Sequence, residues 1–452
     1  MTASRKQGFP MKKQKHPLIA GTLILTLTGL ASRFIGFFYK IFLSRTIGAE
    51  GIGIYQMIFP LYGVCYAFTT AGVEIAISRS VSAELARGKK ERARSILWIG
   101  LSMSLALSLL TSFLVYTNAD FLAAYLLHET RCANLLRIMS LTVPFGACHS
   151  CISGYYYGLQ RTAIPAGAQL FEQLVRVASV YIIYQISLEE GRSLSPAAAV
   201  IGLVLGEFAS MLFGLFAISS EGLRNPVKKR RDFSVHTYAR RMFLEAAPVS
   251  ANRVCMNLLG SAEAVLLPLT LQQYGLNVAR ALSVYGTLTG MAMAFIQFPS
   301  VLTNAVSVML LSSASESQAA GNQNQIARTI RKTIALCLPL GIACTCFFLL
   351  FGKTLGLFFF KSEMAGDFII TLAWICPFLY LNSTLHSILN GLGRTAAGFI
   401  NNLIGVMIRI FFILTFVPRF GIQGYLWGIL SNQLFVAFLN VNALKEERKL
   451  TK

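Results

Sequence analysis

Apolar runs of about 20 residues alternate with short polar segments along almost the whole chain. A helix of that length crosses the hydrocarbon core of a bilayer. The pattern therefore predicts an all-α integral membrane protein with about twelve transmembrane helices, numbered here as spans 1 to 12. The predicted spans lie near 18–43, 52–77, 96–117, 133–159, 163–186, 196–219, 242–271, 282–311, 333–360, 366–391, 395–417 and 421–442.

The second half of the chain repeats the first at an offset of 233 residues. Residues 144–177 and 377–410 are identical at ten of 34 positions without a gap, and both contain Gly-Leu-x-Arg-Thr-Ala. We expect Gly158 and Gly391 in this motif to permit the tight helix exits after spans 4 and 10. Each half holds six spans, an even number, so both halves start on the same side of the membrane.

The repeat predicts two parallel six-helix lobes around a central cavity, as in many secondary transporters. The N-lobe is predicted at 18–219 and the C-lobe at 242–442, joined by a basic linker at 220–241. Basic tails at 1–17 and 443–452 complete the chain.

The position of the charge indicates the orientation. Only 13% of residues are charged, against about 25% in soluble proteins, and the net charge is +21. With the N-terminus in the cytoplasm, cytoplasmic segments hold 27 of the 40 Lys and Arg residues and the opposite side holds seven. This asymmetry predicts a multi-pass membrane protein with both termini cytoplasmic. The basic loops then orient the chain and attract anionic lipid, so no nucleic-acid partner is expected.

Motifs for covalent chemistry are missing from the sequence. It has no Walker A loop, zinc signature or nucleophile elbow, and no polar segment much longer than about 25 residues. The run Cys148-His149-Ser150-Cys151 resembles a metal or redox motif, but it lies in the middle of span 4 without a second pair. We therefore expect no enzymatic activity, catalytic residue, metal or cofactor.

Charged residues inside predicted spans are candidates for function because they are costly in lipid. Arg33 and Lys40 share one face of span 1, and Arg253 and Asn257 share one face of span 7. Two cationic stripes that face each other across a cavity suit an anion, and phosphate is the ligand that arginine binds bidentately. We predict that these four residues bind the substrate.

Salt bridges within a lobe are the alternative for these cations. Five carboxylates are available as partners: Glu74, Glu172, Glu207, Glu245 and Glu263. Three of them are also candidates for coupling to a cation or proton: Glu74, Glu207 and Glu263. Arg176 and Arg409 occupy equivalent repeat positions in spans 5 and 11. Glu172 precedes Arg176 by four residues, which favours a structural bridge there, whereas position 405 is glycine and leaves Arg409 open.

Three stretches resemble the stage V sporulation protein B family, a branch of the multidrug/oligosaccharidyl-lipid/polysaccharide exporter superfamily. They are GLASRFIGFFYKIFLSRTIGAEGIGIYQ at 29–56, AISRSVSAELARGKK at 76–90 and YGTLTGMAMAFIQFPSVLTNAVSVMLLSSASE at 285–316. The resemblance covers nearly the whole chain. It implies a flippase of the bacterial cytoplasmic membrane for undecaprenyl-diphosphate-linked glycans, such as peptidoglycan or polysaccharide precursors, and a context of sporulation or wall synthesis.

The related lipid II flippase family carries Ser-Arg-x-x-Gly-x-x-Arg-Asp in its first span. Ser32, Arg33 and Gly36 match this pattern, but Tyr39 and Lys40 stand at its last two positions. Only Arg33 therefore carries over as a charged site residue. Members of both branches often have fourteen spans, so with twelve we expect no lipid-tail groove built from two extra helices.

The sequence as a whole favours alternating access by a monomer whose partners are a lipid-linked glycan and membrane lipid. Two alternatives remain. A drug/cation antiporter of the same superfamily would use carboxylates inside the membrane, and a non-transporting scaffold of a wall-synthesis complex would not need the polar interior.

Overall fold

The computed structural model describes residues 16–220, 235–300, 303 and 323–450, and within them the chain is helical with no strand. Spans 1 and 2 form one long helical run that a break at Gly48 divides. Gly48 has φ +73°, a conformation that glycine adopts without steric cost. The helices of the N-lobe are His16–Tyr66, Ala67–Ala71 and Gly72–Ala86 for spans 1 and 2, Lys90–Thr117 for span 3, Ala119–Phe121 and Leu122–Leu126 in the connection, Cys132–Ser140 and Thr142–Gly158 for span 4, Ala163–Glu189 for span 5 and Pro196–Ser220 for span 6.

The C-lobe has the same succession of long helices. Span 7 begins at Val235, before its predicted start, and continues to Gln273. The helices are Val235–Gln273 for span 7, Val278–Gly286, Thr287–Ala292 and Met293–Gln297 in the described part of span 8, Gln323–Phe360 for span 9, Glu363–Ala373 and Cys376–Gly391 for span 10, Thr395–Thr415 for span 11, Val417–Phe420 in a connection and Ile422–Leu450 for span 12.

Length and composition agree with a membrane protein. Seven of the described helices are long and apolar enough to cross a bilayer, or eight if the pair bent by 61° in span 10 counts as one. The run Ile24–Ala86 counts once in that number although it contains two predicted spans. The predicted all-α, multi-pass architecture in two lobes is confirmed.

The two halves pack alike. Span 3 contacts span 4 as span 9 contacts span 10, span 5 contacts span 6 as span 11 contacts span 12, and span 4 contacts span 6 as span 10 contacts span 12. The repeated motif also forms the same turn twice. Arg161 N donates to Tyr156 O at 2.9 Å and Arg394 N donates to Leu389 O at 2.9 Å, both at the 233-residue offset.

One local prediction about this turn is wrong. The left-handed residues are Gln160, with φ +59°, and Gly393, with φ +71°, whereas Gly158 and Gly391 are the last residues of their helices. Gly158 is small for a different reason. A Cβ there would lie 2.8 Å from Ser78 O and 2.7 Å from Val81 Cβ, so this glycine lets span 4 pack closely against span 2.

The lobes meet closely where span 2 begins, just after Gly48. The charge pattern predicts that this face of the protein is external. A Cβ at Gly53 would lie 2.2 Å from Leu282 O, and a Cβ at Gly286 would lie 2.2 Å from Ala49 O. Spans 2 and 8 therefore approach backbone to backbone there, which small residues allow between membrane helices.

Polar contacts strengthen the same face. Arg45, after span 1, donates from Nε to Phe359 O at 2.7 Å and from Nη2 to Phe358 O, at the end of span 9 in the other lobe. Arg131 bridges Glu50 at 2.6 Å and Glu129 at 2.8 Å. Hydrogen bonds from Arg131 hold the pKa of the Glu129 carboxyl below its usual range. We infer that this face is the closed one in this conformation.

Candidate functional site

A cavity of about 670 Å³, here the central cavity, lies between spans 1, 2 and 5 of the N-lobe and span 8 of the C-lobe. Arg33 and Lys40 contribute its charge from span 1, and Arg176 contributes from span 5. No Asp or Glu is among the described residues that line it. A pocket with three cations and no carboxylate attracts anions and repels cations.

The two cations from span 1 are available to a ligand. Arg33 is exposed to solvent and Lys40 is partly buried. Neither forms an ion pair or a hydrogen bond with any other described residue. Their helical spacing, seven residues apart, explains why both face the same space. This is the arrangement that the sequence predicted for span 1.

Uncharged donors complete the lining. Side-chain amides come from spans 2, 5 and 8, and hydroxyls come from spans 1 and 8: Gln56, Gln173, Gln297, Ser32 and Ser300. Such groups bind sugar hydroxyls and phosphate oxygens without adding charge. Aromatic rings form the wall between spans 1 and 8, where the ring centroids of Phe37 and Phe298 lie 4.6 Å apart.

Arg253 and Asn257 are not brought to this cavity. Asn257 Nδ2 donates to Gly63 O of span 2 at 3.0 Å, so this side chain fastens span 7 to span 2. Arg253 is exposed and lies within electrostatic reach of Glu74. The stripe predicted on span 7 exists, but the helix presents it to span 2 and not to the space beside Arg33.

A second cavity, of about 360 Å³, lies inside the N-lobe between spans 2, 4, 5 and 6 and is here called the N-lobe cavity. Glu74, His149, Glu172 and Glu207 line it. His149 Nδ1 lies 3.5 Å from Glu207 Oε2, and Tyr62 OH donates to Glu207 Oε1 at 3.4 Å. The ligating atoms of His149, Glu172 and Glu207 all lie within 4.8 Å of one another, so these three residues have the donor set for a small cation.

Arg176 lines the central cavity and pairs with a carboxylate that lines the N-lobe cavity. Its side chain lines the central cavity, while Nη2 donates to Glu172 Oε1 in the N-lobe cavity and Nη1 donates to Gln173 Oε1 at 3.4 Å. Its Nε is buried and has no hydrogen-bond partner among the residues that the structure describes. The Glu172–Arg176 pair predicted from sequence is therefore present, but the arginine also faces the candidate site.

The equivalent arginine of the C-lobe has a different setting. Arg409 Nη2 lies 3.0 Å from Glu263 Oε2 of span 7, and Tyr425 OH donates to Glu263 Oε1. Glu263 is 8% exposed. Arg409 is not among the described residues of the central cavity. Glu263, a predicted coupling residue, thus serves as the partner that the sequence left open for Arg409.

Sequence reasoning missed several of these residues. The sequence prediction treats His149 as part of a run with two cysteines and assigns that run no metal, whereas in the structure His149 lies next to Glu172 and Glu207. The cavity glutamines carry no charge and gave no signal. A histidine inside a predicted span was the one available clue, because titratable groups are rare in membrane helices.

The chain is similar in sequence to known membrane proteins and matches two family models. Residues 18–276 match the family model described as polysaccharide biosynthesis protein, and residues 273–415 match the MatE model. Over 434 residues the chain is 29% identical to stage V sporulation protein B of Bacillus subtilis (strain 168), covering 94% of this chain and 83% of that protein. It is 23% identical over 418 residues to lipid II flippase MurJ of the same organism, covering 87% and 76%.

A solved structure shows the same fold. It is the inward-facing conformation of a multidrug resistance MATE family transporter of the MOP superfamily, with a TM-score of 0.73, 15% identity and coverage of 96% of this chain and 98% of that one. The two-lobe membrane fold is therefore the fold of that solved structure. The chain belongs to the polysaccharide biosynthesis protein family, whose model covers more than half of it.

Proposed function

We propose that this protein is a flippase that moves a polyprenyl-diphosphate-linked glycan across the bacterial cytoplasmic membrane. The observation that carries the proposal is the central cavity, which has three cations and no carboxylate among its described lining residues. A diphosphate is the charged part of such a lipid, and guanidinium groups bind it through paired hydrogen bonds. The relatives named for sporulation and for lipid II flipping support this substrate class.

The proposed mechanism is alternating access. Arg33 and Lys40 bind the diphosphate from the cytoplasmic leaflet, and the amides of Gln56, Gln173 and Gln297 bind sugar hydroxyls. The lobes then rock, the contact between Gly53 and span 8 opens, and the headgroup leaves on the other side. The lipid tail stays in the bilayer throughout. No bond is made or broken, so the protein acts as a transporter and not as an enzyme.

We propose that coupling to a cation or proton takes place at the N-lobe cavity. Glu207 is 8% exposed, and its Oε2 has no hydrogen-bond partner in the described structure. A buried carboxylate that has one long hydrogen bond, from Tyr62, and a histidine nitrogen at 3.5 Å is only weakly compensated, and a bound cation or proton would relieve that cost. Glu74 lines the same cavity. Glu263 is not part of this proposal, because Arg409 and Tyr425 already satisfy it.

A drug/cation antiporter is the second candidate, and the carboxylates of the N-lobe cavity are the observation in its favour. An organic cation would have to bind in the central cavity beside Arg33 and Lys40, two like charges without a carboxylate partner among the described residues, which is unfavourable. A non-transporting scaffold would gain nothing from two cavities with ionisable linings.

The test is leaflet exchange in vesicles that contain the purified protein. A fluorescent polyprenyl diphosphate oligosaccharide should cross at a rate well above that in protein-free vesicles, while a fluorescent phospholipid should not. Exchange of both lipids would indicate a nonspecific scramblase. Uptake of a quaternary ammonium dye without exchange of the glycolipid would contradict the proposal and support the antiporter.

Orientation gives a separate prediction. With the basic linker in the cytoplasm, a single cysteine at Lys229 in an otherwise cysteine-free protein should react with a membrane-impermeant maleimide only after the cells are opened. A cysteine at Arg192, between spans 5 and 6, should react in intact cells. Labelling of the Lys229 position in intact cells would overturn the assigned orientation.

A further inference from the structure

Arg176 is the one residue of those described that lines the central cavity and also forms an ion pair with a carboxylate of the N-lobe cavity. Its side chain is 18% exposed, on the side of the central cavity. Glu172 is its carboxylate partner, and Glu207 and His149 lie next to that carboxylate. The guanidinium therefore stands in the wall between the proposed substrate site and the proposed coupling site.

The repeat provides a comparison that separates a structural pair from a functional one. In the C-lobe, Arg409 is paired with Glu263, and that carboxylate accepts a further hydrogen bond from Tyr425. In the N-lobe, Glu172 shares its surroundings with a second carboxylate, Glu207, and accepts from Arg176 without a second donor among the described residues. The Nε atoms of Arg176 and Arg409 are both buried without a hydrogen-bond partner in the described structure, so the difference lies in the carboxylates. The N-lobe carboxylate is the less completely satisfied of the two, and its pair is the one that borders a cavity.

We propose that Arg176 is a third cationic contact for the substrate diphosphate. Glu172 binds the Arg176 guanidinium when the central cavity holds no diphosphate. When a diphosphate occupies the central cavity, Arg176 exchanges its bond with Glu172 for bonds to phosphate oxygens. This inference depends on the proposed function, since it assumes that the diphosphate binds beside Arg33 and Lys40. Gln173, already hydrogen-bonded to Arg176, guides the guanidinium between the two partners.

The exchange connects the two cavities electrostatically. Once Arg176 has turned to the diphosphate, the neighbouring carboxylates of Glu172 and Glu207 no longer have its positive charge beside them. The N-lobe cavity then attracts a cation more strongly than before. Filling of the central cavity thus favours cation uptake in the N-lobe, and by thermodynamic reciprocity a cation in the N-lobe favours diphosphate binding.

The test measures binding of inorganic pyrophosphate to the purified full-length protein in nanodiscs by calorimetry. Glu172→Gln removes the competitor of the diphosphate, so its Kd should fall about 10-fold, as expected for one charge-assisted hydrogen bond. Arg176→Gln should raise Kd about 10-fold. In the double variant the gain from Glu172→Gln should vanish, because both changes act through one guanidinium.

Glu207→Gln is the matched control, because it removes the same charge from the same cavity without removing a bond to Arg176. Its gain in affinity should be clearly smaller than that of Glu172→Gln. Equal gains would mean that only the net charge matters, and an unchanged or weaker affinity in Glu172→Gln would assign the pair a purely structural role. Either result overturns the inference.

Failure of the proposed function would give a different pattern. If wild type and Arg33→Ala bind pyrophosphate equally or not at all, the central cavity is not a diphosphate site and both proposals fall. If Arg33→Ala weakens binding while Glu172→Gln has no effect, the site stands and only the exchange at Arg176 is refuted. Melting temperatures of all variants show which of them are folded. If Arg176→Gln does not fold, the affinity of Glu172→Gln compared with that of Glu207→Gln still tests the exchange.

Discussion

Replacing Arg33 by alanine is expected to reduce glycolipid flipping about 10- to 100-fold while leaving membrane insertion and protein level near normal. The estimate corresponds to about 1–3 kcal/mol for one lost charged hydrogen bond to the diphosphate. Protein stability should change little, since Arg33 is exposed and has no partner among the described residues. The measurement is the initial rate of leaflet exchange in vesicles, normalised to reconstituted protein.

Two further variants sharpen this experiment. Arg33→Lys should recover only part of the rate, because an ammonium group lacks the planar fork of a guanidinium. Arg253→Ala distinguishes the sequence prediction from the structure: the sequence predicts a loss similar to that of Arg33→Ala, whereas in the structure Arg253 does not line the central cavity. Full transport by a stable Arg33→Ala, Lys40→Ala double variant would refute the cationic site.

The helices and their duplication could be predicted from the sequence because both depend on local pattern. Apolar runs of bilayer length predict membrane helices wherever they occur. The offset of 233 residues also predicted where the backbone would repeat, and the turns before Arg161 and Arg394 form the same hydrogen bond. The detailed cause was different, because the left-handed positions are Gln160 and Gly393 and the neighbouring glycine serves helix packing.

The site could be predicted only where one helix determines it. Arg33 and Lys40 share a face of span 1 by periodicity alone, and the cavity lies on that face. Arg253 and Asn257 share a face equally well, but the rotation of span 7 against span 2 decides what that face meets. The rotation of a helix about its axis depends on packing across the lobes. It therefore cannot be predicted from the pattern of that helix alone.

Residues that act together from different helices were beyond the sequence for the same reason. His149, Glu172 and Glu207 lie on three spans and meet only in the folded N-lobe. For Arg176 the i,i+4 spacing correctly predicted the bond to Glu172, but it gave no indication that the same side chain also lines the central cavity. The i,i+4 pair with Glu172 already accounts for a charge at Arg176, so the sequence gives no indication of a second role for this arginine.

The ion pair between Arg409 and Glu263 in the C-lobe gives the second prediction with a large expected effect, a loss of stability on mutation. Arg409→Ala leaves Glu263 buried and charged without its cation, and removing one partner of a buried ion pair costs about 3–5 kcal/mol. We expect a strongly lowered melting temperature in detergent and a reduced level in the membrane. Fluorescence-detected size-exclusion chromatography after heating measures both. Since Arg409 does not line the described central cavity, the protein that remains folded should still bind pyrophosphate.

A compensating variant makes this prediction decisive. Glu263→Gln combined with Arg409→Met removes both charges, while the glutamine oxygen still accepts the hydrogen bond from Tyr425. The double variant should regain most of the lost stability, because replacing both members of a buried pair is far less costly than removing one. The same treatment of Glu172 and Arg176 should restore stability but not pyrophosphate affinity. If Arg409→Ala instead melts normally and abolishes transport, the C-lobe pair is functional and the contrast between the two halves is wrong.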